Sequence, residues 1–182
     1  MQPQFLMFMA AATTFRLVTL AVSVRNERQL MDGGAQEYGA GNSLALAGCH
    51  VAFYLAAFGE AVARGEHEFG STNYAGIFLY GLSAIALLMV MKSLDRLWTV
   101  KLILDPKHAL VTSGIYRWIR HPNTFFNVLP EPIGLALALG AYCTLLIGLP
   151  LYLIPLTIRI RQEEALMRRR FPSYAVSSGN ER

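Results

Sequence analysis

Residues 74–94 read YAGIFLYGLSAIALLMVMKSL and carry a single charge, Lys92. About 20 apolar residues suffice for a helix to cross a ~30 Å hydrocarbon layer, so this stretch reads as a membrane span. The pattern repeats outward. Residues 5–24 are apolar apart from Arg16, and residues 44–63 apart from Glu60 near one end. The first block has no basic leader, and Arg16 stands where a signal peptide would be apolar, so it reads as a span too. The last apolar block, residues 124–158, would be roughly 52 Å long as one helix. That is too long for one crossing and short for two. Gly140 offers a break, and Pro130, Pro132, Pro150 and Pro155 can bend the two legs. The spacing predicts an all-α membrane bundle of about five helices ending in a helical hairpin. It forms one structural domain, with a three-span region over 1–95 and a second region over 96–182.

Composition supports this fold class. Of 182 residues, 54% are hydrophobic and 15% charged, against about 25% charged in soluble domains. The 16 Lys and Arg and 12 Asp and Glu are also segregated. Segments 1–24, 43–63, 74–91 and 121–158 contain only Arg16, Glu60 and Glu131. A soluble enzyme mixes charge and apolarity on the helical period, so an ordinary soluble fold is excluded, as are disorder and a disulfide scaffold. Cys49 and Cys143 are too few for a scaffold, lack metal-site spacing, and read as small buried hydrophobes.

The basic residues gather in three places: Arg25 and Arg28 after the first span, Lys92 to Arg120 after the third, and Arg159 to Arg182 in the tail. Five spans put all three on one side. The positive-inside rule then predicts a cytoplasmic C-terminus and an outside N-terminus, as in a bacterial inner membrane. The net charge of +4 becomes a membrane-face charge suited to anionic lipids, with no call for nucleic acid.

Two polar segments remain. Trp98–Asn123, WTVKLILDPKHALVTSGIYRWIRHPN, is long for a linker and too aromatic for disorder. Asp105-Pro106 signals a turn, and His121-Pro122 ends a short helical stretch. Tyr116 and Trp118 suit either an interfacial belt or a site. His108 and His121 suit helix ends or a site, with no third ligand spaced for a metal. The tail, RIRQEEALMRRRF from Arg159, continues the last span as helix beyond the membrane surface. Glu164 and Arg168 stand at i,i+4 in the favourable order.

Glu131 is the intramembrane charge most in need of a role, because ionisable groups there are costly and functional by default. Arg159, at the end of the last span, is its expected partner, or else the group that holds an anionic acceptor. Arg16 is expected to pack against Glu60, to reach the interface, or to face the bundle interior. His50 lies in a span without an obvious partner.

Gly114–Asn123 (GIYRWIRHPN), preceded by His108-Ala-Leu-Val and followed by Arg159-Ile-Arg-Gln-Glu-Glu-Ala-Leu, resembles the isoprenylcysteine carboxyl methyltransferase family. Arg16-Leu17, Ser23-Val-Arg-Asn-Glu-Arg-Gln-Leu and Gly34-Ala-Gln-Glu-Tyr-Gly-Ala are similar to a bacterial branch accompanying type III polyketide synthases, which O-methylates alkylpyrones or alkylresorcinols. The resemblance implies S-adenosylmethionine as cofactor and a lipophilic acceptor entering from the bilayer. It implies a cofactor wall of His108, Leu110, Gly114, Tyr116, His121 and Pro122, joined by Glu163 or Glu164 from the tail helix. Glu131 and Arg159 are the candidates for acting on the acceptor. Carboxyl methylation of an isoprenylcysteine-type substrate and NADPH-dependent sterol-type reduction are the alternatives.

Overall fold

The computed structural model describes residues 3–65, 68–104 and 123–170. Helix α1 spans Pro3–Asp32, α2 Ala40–Arg64, α3 Ser71–Leu94, α4 Pro130–Leu139 and α5 Leu149–Arg170. Short strands β1 (Gln36–Tyr38) and β2 (Leu102–Leu104) pair antiparallel, with Glu37 opposite Ile103. A π-helical turn leads into α4 at Thr124–Val128 and another into α5 at Thr144–Gly148. Four of these helical units are long and apolar enough to cross a membrane. The fifth, Thr124–Leu139, is shorter, about 24 Å at 1.5 Å per residue. The predicted all-α bundle with a terminal hairpin is therefore present.

The large apolar side chains point outward. Leu17, Leu44, Phe78 and Leu146 are all more than half exposed. In water such a surface would aggregate, but against lipid it is the expected face. The interior mixes small and aromatic residues, with Ala57, Leu135, Ala136 and Leu139 fully enclosed beside Phe53, Tyr54 and Tyr80.

Gly140 breaks the last block as expected. It takes the left-handed conformation (φ 65°, ψ 22°) that closes α4, a position other residues adopt only with strain. This turn leaves carbonyls on one side and N–H groups on the other, and hydrocarbon cannot satisfy either. Two side chains do so. Asn73 Nδ2 donates to the carbonyls of Ala138 (3.0 Å) and Leu137 (3.4 Å). The Glu60 carboxylate accepts from the N–H of Cys143 (3.0 Å), and from the N–H and Oγ1 of Thr144 (both 2.8 Å). Glu60 is thus an N-terminal cap for the returning helix, stabilised by its dipole. The expectation that it would pack against Arg16 is overturned. Cys143 is exposed and Cys49 half-buried, both free, so the reading of both as buried hydrophobes is corrected as well.

Two seams hold the bundle. In α3–α4, backbones touch: a Cβ on Gly76 would overlap the backbone of Ala138, and one on Gly134 would stand 2.6 Å from the Tyr80 amide nitrogen. Small residues permit this approach, which van der Waals contact then rewards. In α2–α5, side chains mediate an antiparallel register. From one end to the other, Gly39 faces Gln162, Ser43 faces Arg159, His50 faces Tyr152, Phe53 faces Gly148 and Glu60 faces Thr144.

Helix α1 is tied on by side chains. Asn26 Nδ2 donates to the carbonyls of Trp98 (2.9 Å) and Asp95 (3.2 Å), and Ser23 Oγ accepts from the N–H of Val100 (2.8 Å). Lys101 pairs with Glu27 and, at 3.3 Å, with Glu37. The hydrogen bond to Glu27, seconded by Glu37, holds the Lys101 ammonium above the usual lysine range.

Candidate functional site

All five helices send a polar side chain to one buried centre. Glu131, at the second position of α4, is 1% exposed. It ion-pairs with Arg16 of α1 and accepts a hydrogen bond from the Tyr54 hydroxyl of α2. The Tyr80 hydroxyl of α3 lies 3.1 Å from that of Tyr54. His50 Nε2 is 3.6 Å from Glu131 Oε1, and its Nδ1 is 3.3 Å from the Tyr152 hydroxyl of α5. A lone carboxylate here would cost several kcal/mol. Pairing and hydrogen bonding offset that, and they oblige five helices to meet in one arrangement. The expected partnership of Glu131 with Arg159 is therefore corrected. Arg16, 115 residues upstream, takes that place, because α1 passes alongside the first turn of α4.

Arg159 instead belongs to the basic end of the α2–α5 seam. Its guanidinium donates to Ser43 Oγ at 3.0 Å, and Ser43 is buried. Glu163 and Glu37 are close enough to act on its charge. Tyr152 and Arg159 are seven residues apart, hence on one face of α5 and about 10 Å apart along it. Asn42 Nδ2 donates to the Pro155 carbonyl at 3.0 Å between them. The basic end is therefore a second polar zone, two helical turns from the buried centre.

One further group stands there. Gly39, left-handed at φ 64°, leaves the space that Gln162 fills: a Cβ would meet Gln162 Oε1 at 2.5 Å. That oxygen is buried and has no hydrogen-bond partner among the described residues. An unsatisfied buried acceptor costs about 1–3 kcal/mol, so a donor supplied from outside the described residues fits it. Glu163 and Glu164 are half-buried on the same helix, and Glu164 reaches Arg168 at 3.6 Å, as the i,i+4 spacing predicts.

His108, Leu110, Gly114, Tyr116, His121 and Pro122 lie outside the described residues. Among the described residues, no cluster of His, Cys, Asp and Glu could hold a metal. The sequence reading left out Ser43, Tyr54, Tyr80, Tyr152 and Gln162. The i,i+4 spacing of His50 and Tyr54, and the seven-residue steps from Ser43 to His50 and from Tyr152 to Arg159, were the available signals.

A bundle of lipid-facing helices around a charged centre, with a polar, basic end, defines an integral membrane protein built around intramembrane polar sites. The isoprenylcysteine carboxyl methyltransferase (ICMT) family matches over residues 75–169, a range that runs from within α3 to the last turn of α5 and includes Glu131, Arg159 and Gln162. An uncharacterized protein of Haemophilus influenzae is 40% identical over 163 residues, 90% of this chain and 94% of that protein. The uncharacterized protein YpbQ of Bacillus subtilis is 27% identical over 165 residues, 90% of this chain and 96% of its own. No solved structure matches. The chain belongs to the ICMT family, a family of membrane methyltransferases.

Proposed function

We propose that this protein is an S-adenosylmethionine-dependent O-methyltransferase whose acceptor is a lipophilic molecule with an acidic hydroxyl, of the alkylpyrone or alkylresorcinol kind. The observation that carries the reading is Arg159, held by Ser43 at the end of the seam where the tail helix meets the membrane surface. A resorcinol hydroxyl, with a pKa near that of tyrosine, stays protonated until a cation lowers it, but the enolic hydroxyl of a pyrone arrives largely ionised. It then needs a fixed cation more than a general base, and preorganised charge is the usual source of acceleration in such sites. The N-terminal resemblance favours this acceptor class over isoprenylcysteine, and the Arg16 of that motif is the residue that completes the buried centre.

S-Adenosylmethionine, when bound, supplies an electrophilic methyl group on a sulfonium. The chain's own part is to bind it at the basic end, orient the acceptor and exclude water. Gln162, with Glu163 or Glu164, would take hydroxyl or ammonium donors of the cofactor. His108, Leu110, Gly114, Tyr116, His121 and Pro122 would form the opposite wall. Arg159 would hold the acceptor oxygen, and Glu131 would fix the inner end of the pocket through Arg16 and His50. The basic end would face the cytoplasm of a bacterial inner membrane, and a type III polyketide synthase would be the source of the acceptor.

The test is transfer of labelled methyl from S-adenosylmethionine to a synthetic alkylpyrone and to a farnesylcysteine analogue, in parallel. The pyrone is expected to be methylated and the farnesylcysteine not, with Arg159→Gln lowering kcat/KM by about 100-fold. Methylation of the farnesylcysteine alone would establish carboxyl methylation instead, a reading equally compatible with the family. NADPH oxidation without methyl transfer would return the reductase alternative.

A further inference from the structure

The basic ends of α1 and α3 flank an open crevice of about 360 Å³ that the site above does not use. Arg25, Asn26 and Gln29 line it from α1, and Asp95, Arg96 and Trp98 from the turn after α3. A second hollow, about 520 Å³, runs along the outer face of α1 over Leu17, Leu20, Ala21 and Val24, with Arg28 near its polar end. The two share Arg25 and Gln29. A polar crevice open to the surface and a shallow apolar trough on the outer face of α1 thus adjoin at Arg25 and Gln29.

Three further observations belong to the crevice. Trp98 is 5% exposed, and its Nε1–H is buried with no partner among the described residues. Asp95 has a φ of 48°, a strained conformation for a residue other than glycine, of the kind that persists at ligand sites. Its carbonyl is pinned by Asn26 Nδ2 and the Trp98 N–H, which fixes the crevice wall. The apolar stretches 5–24 and 74–94 also end just before Arg25 and Arg96, which places both guanidiniums at headgroup depth.

We propose that the crevice and trough together bind one anionic phospholipid. The phosphodiester sits between Arg25 and Arg96, with Trp98 Nε1 and Gln29 as further donors, and one acyl chain lies in the trough. Two guanidiniums and one carboxylate, Asp95, line the crevice, so it favours an anion. The apolar trough distinguishes a lipid from free phosphate. The site does not depend on methyl transfer, and its failure would leave the reaction proposed above untouched.

The experiment uses the full chain in nanodiscs of phosphatidylcholine, with or without phosphatidylglycerol, read by native mass spectrometry and thermal unfolding. One phosphatidylglycerol per protomer is expected to be retained and to raise Tm. The double variant Arg25→Gln/Arg96→Gln should weaken retention roughly tenfold or more. The tail pair Arg168→Gln/Arg169→Gln should leave it unchanged. Trp98→Phe keeps an aromatic ring in place, deletes the donor, and should weaken retention roughly fivefold; it decides the question if the double variant does not fold. Wild-type retention in the double variant, or in Trp98→Phe where that variant decides, would overturn the proposal. So would equal loss in the tail pair, or equal protection by inorganic phosphate in phosphatidylcholine alone.

Discussion

The α3–α4 and α2–α5 seams join helices by opposite means. In α3–α4, Gly76 and Gly134 bring backbones into contact and leave no room for a side chain. In α2–α5, Ser43, His50, Arg159 and Tyr152 hold the helices through polar groups. Without water to drive apolar surfaces together, a membrane bundle has close packing and internal hydrogen bonds to work with; α3–α4 rests mainly on the first, with Asn73 adding hydrogen bonds at one end, and α2–α5 mainly on the second. Where Gly76 and Gly134 bring the backbones together, the close-packed seam leaves no space for a ligand. The polar seam has groups that can bind and hold charge, and it carries the candidate chemistry.

The largest effect is expected where the polar system is most deeply buried. Arg16→Leu strands Glu131 and should cost about 3–5 kcal/mol of stability, read as thermal unfolding in detergent. The double variant Arg16→Leu/Glu131→Leu removes both charges and should recover much of that loss. A double variant no better than the single would show that the pair contributes more than mutual neutralisation. On the scaffold side, Gly134→Ala should cost about 1–3 kcal/mol, because its Cβ meets backbone at Tyr80 that cannot move aside. Methyl transfer should fall only in proportion to folded protein. An activity loss beyond that would break the division between scaffold and chemistry.

Glu60→Ala tests a place where the two seams meet. It strips the cap from Cys143 and Thr144 and should cost about 1–2 kcal/mol, seen as faster amide exchange at the start of the 144–170 helix. The smallest effect belongs to the tail: Glu164→Ala should lose at most about 0.5 kcal/mol with its exposed i,i+4 partner Arg168. A larger activity loss there, without a stability change, would point to cofactor binding by Glu164 itself.

Much of the fold was legible because the membrane imposes simple rules. Lengths of apolar residues gave the helices, and Gly140 gave the hairpin. Partnerships between distant residues were not legible. Arg16 and Glu131 are far apart in the chain, and Arg159 was nearer in sequence, so proximity suggested the wrong pair. Glu60 looked like a charge in need of a cation. Its actual partners are two backbone N–H groups and the Thr144 hydroxyl, brought within reach only because the chain reverses at Gly140. Gln162 stood inside the tail motif without a role of its own, since its interest lies in a missing Cβ at Gly39 on another element.

The sequence by itself determined that this protein lives in a membrane, where its long apolar helices lie, which end is basic and which family motifs it carries. These are local properties, set by apolar length, charge segregation and residues close together in the chain. Only the tertiary structure decided how the three charges within the apolar blocks are satisfied: Arg16 with Glu131, and Glu60 with a helix start. The physical reason is that hydrocarbon offers charges no solvent. Each must find its partner inside the protein, and which partner lies within reach is a property of how the helices pack.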